Sequence, residues 1–218
     1  GDQVGNAYTT FSIAAIFAPF FVGLIADRFF SAQKVMGFLN ILGGVILYFL
    51  SQTKDPEIFF WYILAYTLCF APNLALSNSI AMNQMQNPEK EFPAIRVTGT
   101  IAWIVVTNII GFLALGDNVA IFQIAMYSSF ALGIYAFFLP DTPPKADKNA
   151  SIGQIIGLDA LKLFKDRSFL IFFISSILIC IPLSFYYAMA NPSLTDSHMT
   201  NVENKMSLGQ ASEVIFML

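Results

Sequence analysis

The chain predicts an all-α integral membrane protein, and three observations carry that class. Hydrophobic residues make up 56% of it and charged residues 11%, where soluble domains average about 45–50% (glycine counted) and about 25%. The apolar residues gather into runs close to the roughly 20 that a helix needs to cross the hydrocarbon. Short polar stretches separate these runs, as at Ser51–Glu57 and Asn83–Glu91. The 14 acidic and 11 basic side chains are thinly spread, without the basic cluster that a nucleic-acid polymer would require. Cys69 and Cys180 both lie inside apolar runs, where they read as small hydrophobes rather than as a disulfide or metal site.

The first span is residues 6–25, in which Pro19 is tolerable because neighbouring helices can satisfy a freed carbonyl. Only five residues precede it and none is basic, so no signal peptide is expected. Runs at 35–51, 58–82, 94–115, 119–139 and 168–190 bring the expectation to six full spans. A seventh opens at Met206 and stops at Leu218, too short to cross. Within 58–82, Ala71, Ala75 and Ser79 recur every fourth residue and predict a close-packed face. Asn73 and Ser77 read there as packing glue, and Asn78 as a candidate cavity residue.

The long connection 140–167 opens with the proline- and charge-rich PDTPPKADK and continues as SIGQIIGLDALKLFKDR, an expected interfacial helix. The chain thus divides into a helical bundle at 1–139, a linker at 140–167 and the start of a second bundle at 168–218. With the loop at 25–35 in the cytoplasm, Arg28, Lys34, Lys90, Lys145, Lys148, Lys162, Lys165 and Arg167 fall inside, and Lys54 and Lys205 outside. That asymmetry places the first loop and the linker in the cytoplasm. The sequon at Asn149 then faces away from the glycosylating side, and His198 is an outer surface residue.

Arg96 is the residue that most needs a reason. A charge among membrane-buried residues costs about 2.5–3.5 kcal/mol and usually faces a bundle interior or a watery cavity. Thr100 and Trp103 follow at i+4 and i+7, so the three share one helix face. Guanidinium and hydroxyl can hydrogen-bond a small polar ligand while the indole stacks on a flat ring. The alternative is an interfacial set, with the arginine snorkelling to headgroups and the tryptophan in an aromatic belt.

Ionisable residues inside spans on both sides of the linker favour a two-bundle secondary transporter. A membrane-embedded enzyme would need a metal-spaced His/Asp/Glu cluster or a serine–histidine pair, and His198 is the only histidine. The chain is therefore not expected to be an enzyme. A seven-helix receptor fits poorly with the long central linker.

Two motifs then point to a family. Gly23-Leu24-Ile25-Ala26-Asp27-Arg28, with Lys34, resembles the loop between the second and third spans of the major facilitator superfamily. Phe92-Pro93-Ala94-Ile95-Arg96-Val97-Thr98-Gly99-Thr100 resembles the FPxIRxxGT stretch of the nucleoside:proton symporters within it. Gly157–Ala160 with Leu163–Lys165, Ile171–Ile174 and Gln210–Glu213 are similar to that family at matching distances.

The resemblance implies a major facilitator-type helical bundle, with one span before Gly1 and four or more after Leu218 still to be counted. It implies nucleoside import by proton symport with alternating access, driven by the proton gradient without a cofactor. Arg96, Thr100 and Trp103 would line the nucleoside site, faced by Gln210 and Glu213, with Asp27 and Arg28 in a gating loop. Where familiar members carry glutamine and asparagine, this chain has Ser184 and Tyr187. Glu213, the only acid well inside an apolar span, is the candidate for the coupling proton. The implied setting is a bacterial inner membrane, with the chain a monomer; transport of another small polar solute is the alternative.

Overall fold

The computed structural model describes residues 7, 9–18, 22, 29–116, 118–144 and 158–217. Its helices are α1 (Thr9–Ala18), α2 (Ala32–Gln52), α3 (Pro56–Gln84), α4 (Pro88–Phe112), α5 (Ala120–Ala136), α6 (Arg167–Asp196) and α7 (Val202–Met217), with a 3₁₀ helix, η1 (Leu158–Lys165). Among the described residues there is no strand. Among the described residues four helices, α2, α3, α4 and α6, are long and apolar enough to cross a membrane. The described part of α1 and the 17 residues of α5 are apolar but shorter.

The helix ends follow capping chemistry more than hydropathy. The Asp55 carboxylate accepts from the Glu57 and Ile58 amides, and Pro56 fills the first helical position, where its missing N–H costs nothing. α4 starts at Pro88, six residues ahead of the apolar run that predicted it. There the Glu91 carboxylate reaches back one turn and accepts from the Asn87 amide at 2.9 Å, satisfying the backbone N–H of the N-cap residue. Glu89 and Glu91 also suit the positive end of the helix dipole. Asp166 caps α6 through the Ser168 and Phe169 amides, and that helix continues past Pro192 to Asp196. The interfacial helix expected over 151–167 is described only from Leu158, as the 3₁₀ turns of η1; residues 151–157 lie outside the described set.

Two compact units are present, residues 1–144 with 201–218, and residues 145–200. In the first, α2 is the centre and packs on α3 and α5, while the main partner of α4 is α7. Ala32, Met36, Leu76, Ile80 and Ala136 form an apolar core. The backbones of α2 and α5 nearly touch at Gly37 and Gly133. A Cβ on Gly133 would sit 2.8 Å from Ile41 Cγ1, 3.0 Å from the Ile41 amide nitrogen and 3.1 Å from the Gly37 carbonyl. The small-residue face expected on α3 is corrected: Ala71 is buried, but Ala75 and Ser79 are exposed. The packed face is instead Cys69, Pro72, Asn73, Leu76 and Ile80, because helical spacing from Ala71 drifts away from α2 while these stay in line. Asn73 donates to the Cys69 carbonyl and Ser77 to that of Leu74, so both serve their own helix.

At one end of the α2/α5 pair a polar latch closes. Buried Gln33 donates to the Asp141 carboxylate at 2.6 Å and accepts from the Thr142 amide at 3.0 Å, while the Ala32 amide donates to the Thr142 carbonyl. The Gln33 hydrogen bond, with Ser31 and the Lys34 charge, holds the Asp141 carboxyl below its ordinary value. In the second unit, η1 lies on α6 through edge-to-face rings, Phe164 against Phe169 and Phe173 at 5.4 and 4.8 Å.

Candidate functional site

The seam between α4 and α7 holds most of the predicted residues. Val97, Thr100, Ile104, Asn108 and Gly111 recur at three- and four-residue steps along α4, and Val97, Thr100 and Gly111 are buried. Thr100 donates its hydroxyl to Glu213 Oε1 across the seam at 3.3 Å. Farther along, Asn108 meets Ser207 and Asn204, so the two helices run antiparallel. That register brings half-buried Gln210 to the level of Trp103.

Arg96 and Trp103 flank the buried stripe on its open side. Trp103 is 59% exposed, while Arg96 is exposed and no hydrogen bond or ion pair holds it among the described residues. Glu213 is exposed apart from its bond to Thr100. A strip with a free guanidinium, an indole face, a hydroxyl, a carboxylate and an amide can hold a flat, polar, uncharged ligand. The planar cation donates in a fork, the carboxylate accepts from hydroxyls and the ring stacks.

The other predicted residues lie elsewhere. Ser184 and Tyr187 are exposed on α6, in the second unit. Ser184 donates to its own helix at the Ile181 carbonyl and ends a shallow apolar groove shared with Phe173, Ser176, Ile177, Cys180 and Ile181. Tyr187 sets its ring edge-on to Tyr186. Asp27 and Arg28 lie outside the described residues. His198 is exposed in a turn, with a left-handed backbone at φ 56°. Among the described residues no three His, Cys, Asp or Glu side chains gather as a metal site would require.

Sequence reasoning missed Asn108, Asn204 and Ser207. The available signal was spacing, since Asn108 stands two helical turns after Thr100 and on the same face.

The model of the nucleoside H+ symporter family matches residues 1–218, the whole chain. The chain belongs to the nucleoside H+ symporter family. Relatives of this chain include the candidate nucleoside transporter YegT of Escherichia coli K12, 44% identical over 99% of this chain and 52% of YegT. The xanthosine permease of the same organism is 33% identical over 90% of this chain and 48% of the permease. Among solved structures, the D323A mutant of the nucleoside transporter NupG superposes with a TM-score of 0.82 at 29% identity, over 98% of this chain and 57% of that one. The chain thus spans about half the length of the curated relatives it matches. These relatives are transporters and permeases, not enzymes.

Proposed function

We propose that this protein takes part in nucleoside import by proton symport, in a major facilitator-type bundle that alternates access across a bacterial inner membrane. The observation that carries the reading is the Thr100 to Glu213 hydrogen bond. It joins a residue of the FPxIRxxGT stretch to Glu213 of α7, in a chain matched end to end by the symporter family. The six apolar runs and the partial seventh belong to this reading as spans, divided into a bundle at 1–139, a cytoplasmic linker at 140–167 and the start of a second bundle at 168–218. The protein acts as a monomer with a nucleoside and the bilayer as its partners.

In this reading Arg96 and Thr100 hydrogen-bond the nucleoside and Trp103 stacks on its base. Gln210 and Glu213 face them from α7, Ser184 and Tyr187 contribute from α6, and Asp27 with Arg28 gates the cytoplasmic side. Glu213 carries the coupling proton. Uptake of radiolabelled nucleosides by cells expressing the complete gene, with and without a proton uncoupler, tests the reading. Uptake should exceed that of a vector control and collapse with the uncoupler; uptake indifferent to it removes the proton.

A further inference from the structure

We infer that Asn108, Asn204 and Ser207 form a clasp that closes the outer side of the path between α4 and α7 and must break in each transport cycle. The three make a closed circuit. Asn204 Nδ2 donates to Asn108 Oδ1 at 2.8 Å, Asn108 Nδ2 donates to Ser207 Oγ at 3.0 Å, and Ser207 Oγ donates to the Asn204 carbonyl at 2.7 Å. Asn108 Nδ2 also reaches the Ile104 carbonyl at 2.8 Å, which fixes its rotamer. Ser207 is 6% exposed while Asn108 and Asn204 are half-buried, so water is excluded at the serine.

Two features separate a clasp from a permanent weld. The circuit is uncharged, so opening it strands no buried ion. It is also incomplete, because Asn204 Oδ1 is buried without a hydrogen-bond partner. An acceptor left dry weakens the closed state, and opening returns it to water. The closed and open arrangements therefore stand nearer in free energy than a fully satisfied network would allow.

Its place along the seam gives the circuit its role. Asn108 lies about 12 Å along α4 from Thr100 at 1.5 Å per residue, on the side away from the first turn of α4, which carries Lys90. Lysine and arginine bias puts that end of α4 in the cytoplasm, so the clasp is on the outer side of the site. The inference rests on the transporter reading, in which α4 and α7 belong to different bundles that rock about the site. A contact joining them on one side of that site cannot persist when that side opens.

The test uses the complete gene product with Asn108→Cys and Ser207→Cys together, joined by oxidation or by a short bifunctional thiol reagent. Joined, the protein should lose at least roughly tenfold in nucleoside uptake and regain it with reductant, while detergent-solubilised protein still binds nucleoside. Full uptake by the joined protein overturns the proposal, and so does a pair that cannot be joined. Labelling judges the clasp without reference to substrate. Ser207→Cys should react with a membrane-impermeant thiol reagent roughly tenfold or more slowly than Lys205→Cys, and adding Asn108→Ala should speed it. Equal rates mean a clasp that stands open, which overturns the proposal. A parent that moves no nucleoside yet gives the expected labelling would refute the nucleoside reading and leave the clasp standing.

Discussion

Gly133→Ala tests the packing that organises the first unit. The added methyl carbon meets Ile41 Cγ1 at 2.8 Å, the Ile41 amide nitrogen at 3.0 Å and the Gly37 carbonyl oxygen at 3.1 Å. Two of those three atoms are backbone, so rotamer changes cannot relieve the contact and α2 must move from α5. Overpacking of this kind costs about 1–3 kcal/mol, more than the roughly 1 kcal/mol that alanine gains over glycine in helix propensity. Gly43→Ala is the control. Its methyl would lie 3.5 Å from the Tyr66 ring and 3.8 Å from Cys69 Cβ, ordinary contact distances, so propensity decides and the change is neutral or stabilising by up to about 1 kcal/mol. At about 2–4 °C per kcal/mol, the midpoint in a detergent thermal-unfolding assay should fall by roughly 2–4 °C for Gly133→Ala with a net loss of ~1 kcal/mol, and hold or rise for Gly43→Ala. Equal shifts in the two variants, or a rise in Gly133→Ala, would refute the close approach of α2 and α5.

Arg96→Lys keeps the charge and the ability to snorkel but loses the planar fork; nucleoside affinity measured by calorimetry should drop roughly 10- to 150-fold, the worth of one charge-assisted hydrogen bond, and unchanged affinity would make Arg96 an anchor. Glu213→Gln should bind and exchange nucleoside yet fail to accumulate it against a gradient, whereas parental accumulation in transport assays would move the coupling proton to another acid. Ala146→Cys should label with an impermeant thiol reagent only in opened cells, and labelling of intact cells would reverse the topology. Asp141, its carboxyl held low chiefly by Gln33, contributes stability above the unfolded carboxyl value near ~3.9 that is lost as pH falls through the folded value. Unfolding midpoints measured from pH 5 downward should therefore fall more steeply for the parent than for Asp141→Asn.

The helical class was legible because a hydrocarbon-spanning segment has to be long, apolar and internally hydrogen-bonded, and each of those demands leaves a mark in the sequence. Helix ends were less legible. Pro88 to Glu91 read as a polar loop, yet those residues are what a helix N-terminus uses, and α4 begins there. The spacing of Arg96, Thr100 and Trp103 correctly placed them on one side of α4. It could not say that Thr100 alone is tucked into the seam, which depends on where α7 lies. The α3 face shows the same gap: Ala71, Ala75 and Ser79 form a regular series, but the position of α2 selects Cys69, Asn73 and Ile80. Asn108 and Ser207 lie far apart in the chain, and no local pattern links them.

The latch at Gln33 gives the outgoing chain an anchorage. α2 and α5 are joined along their length by the Gly37 and Gly133 backbones and at one end by the bonds from Gln33 and Ala32 to Asp141 and Thr142. Two attachments at different heights suppress both sliding and splaying, so the pair turns as one strut. Any tension on the stretch that follows Pro144 is delivered to the first turn of α2 as much as to the last turn of α5. A force on the linker therefore rotates two helices at once and leaves their shared contact unstrained.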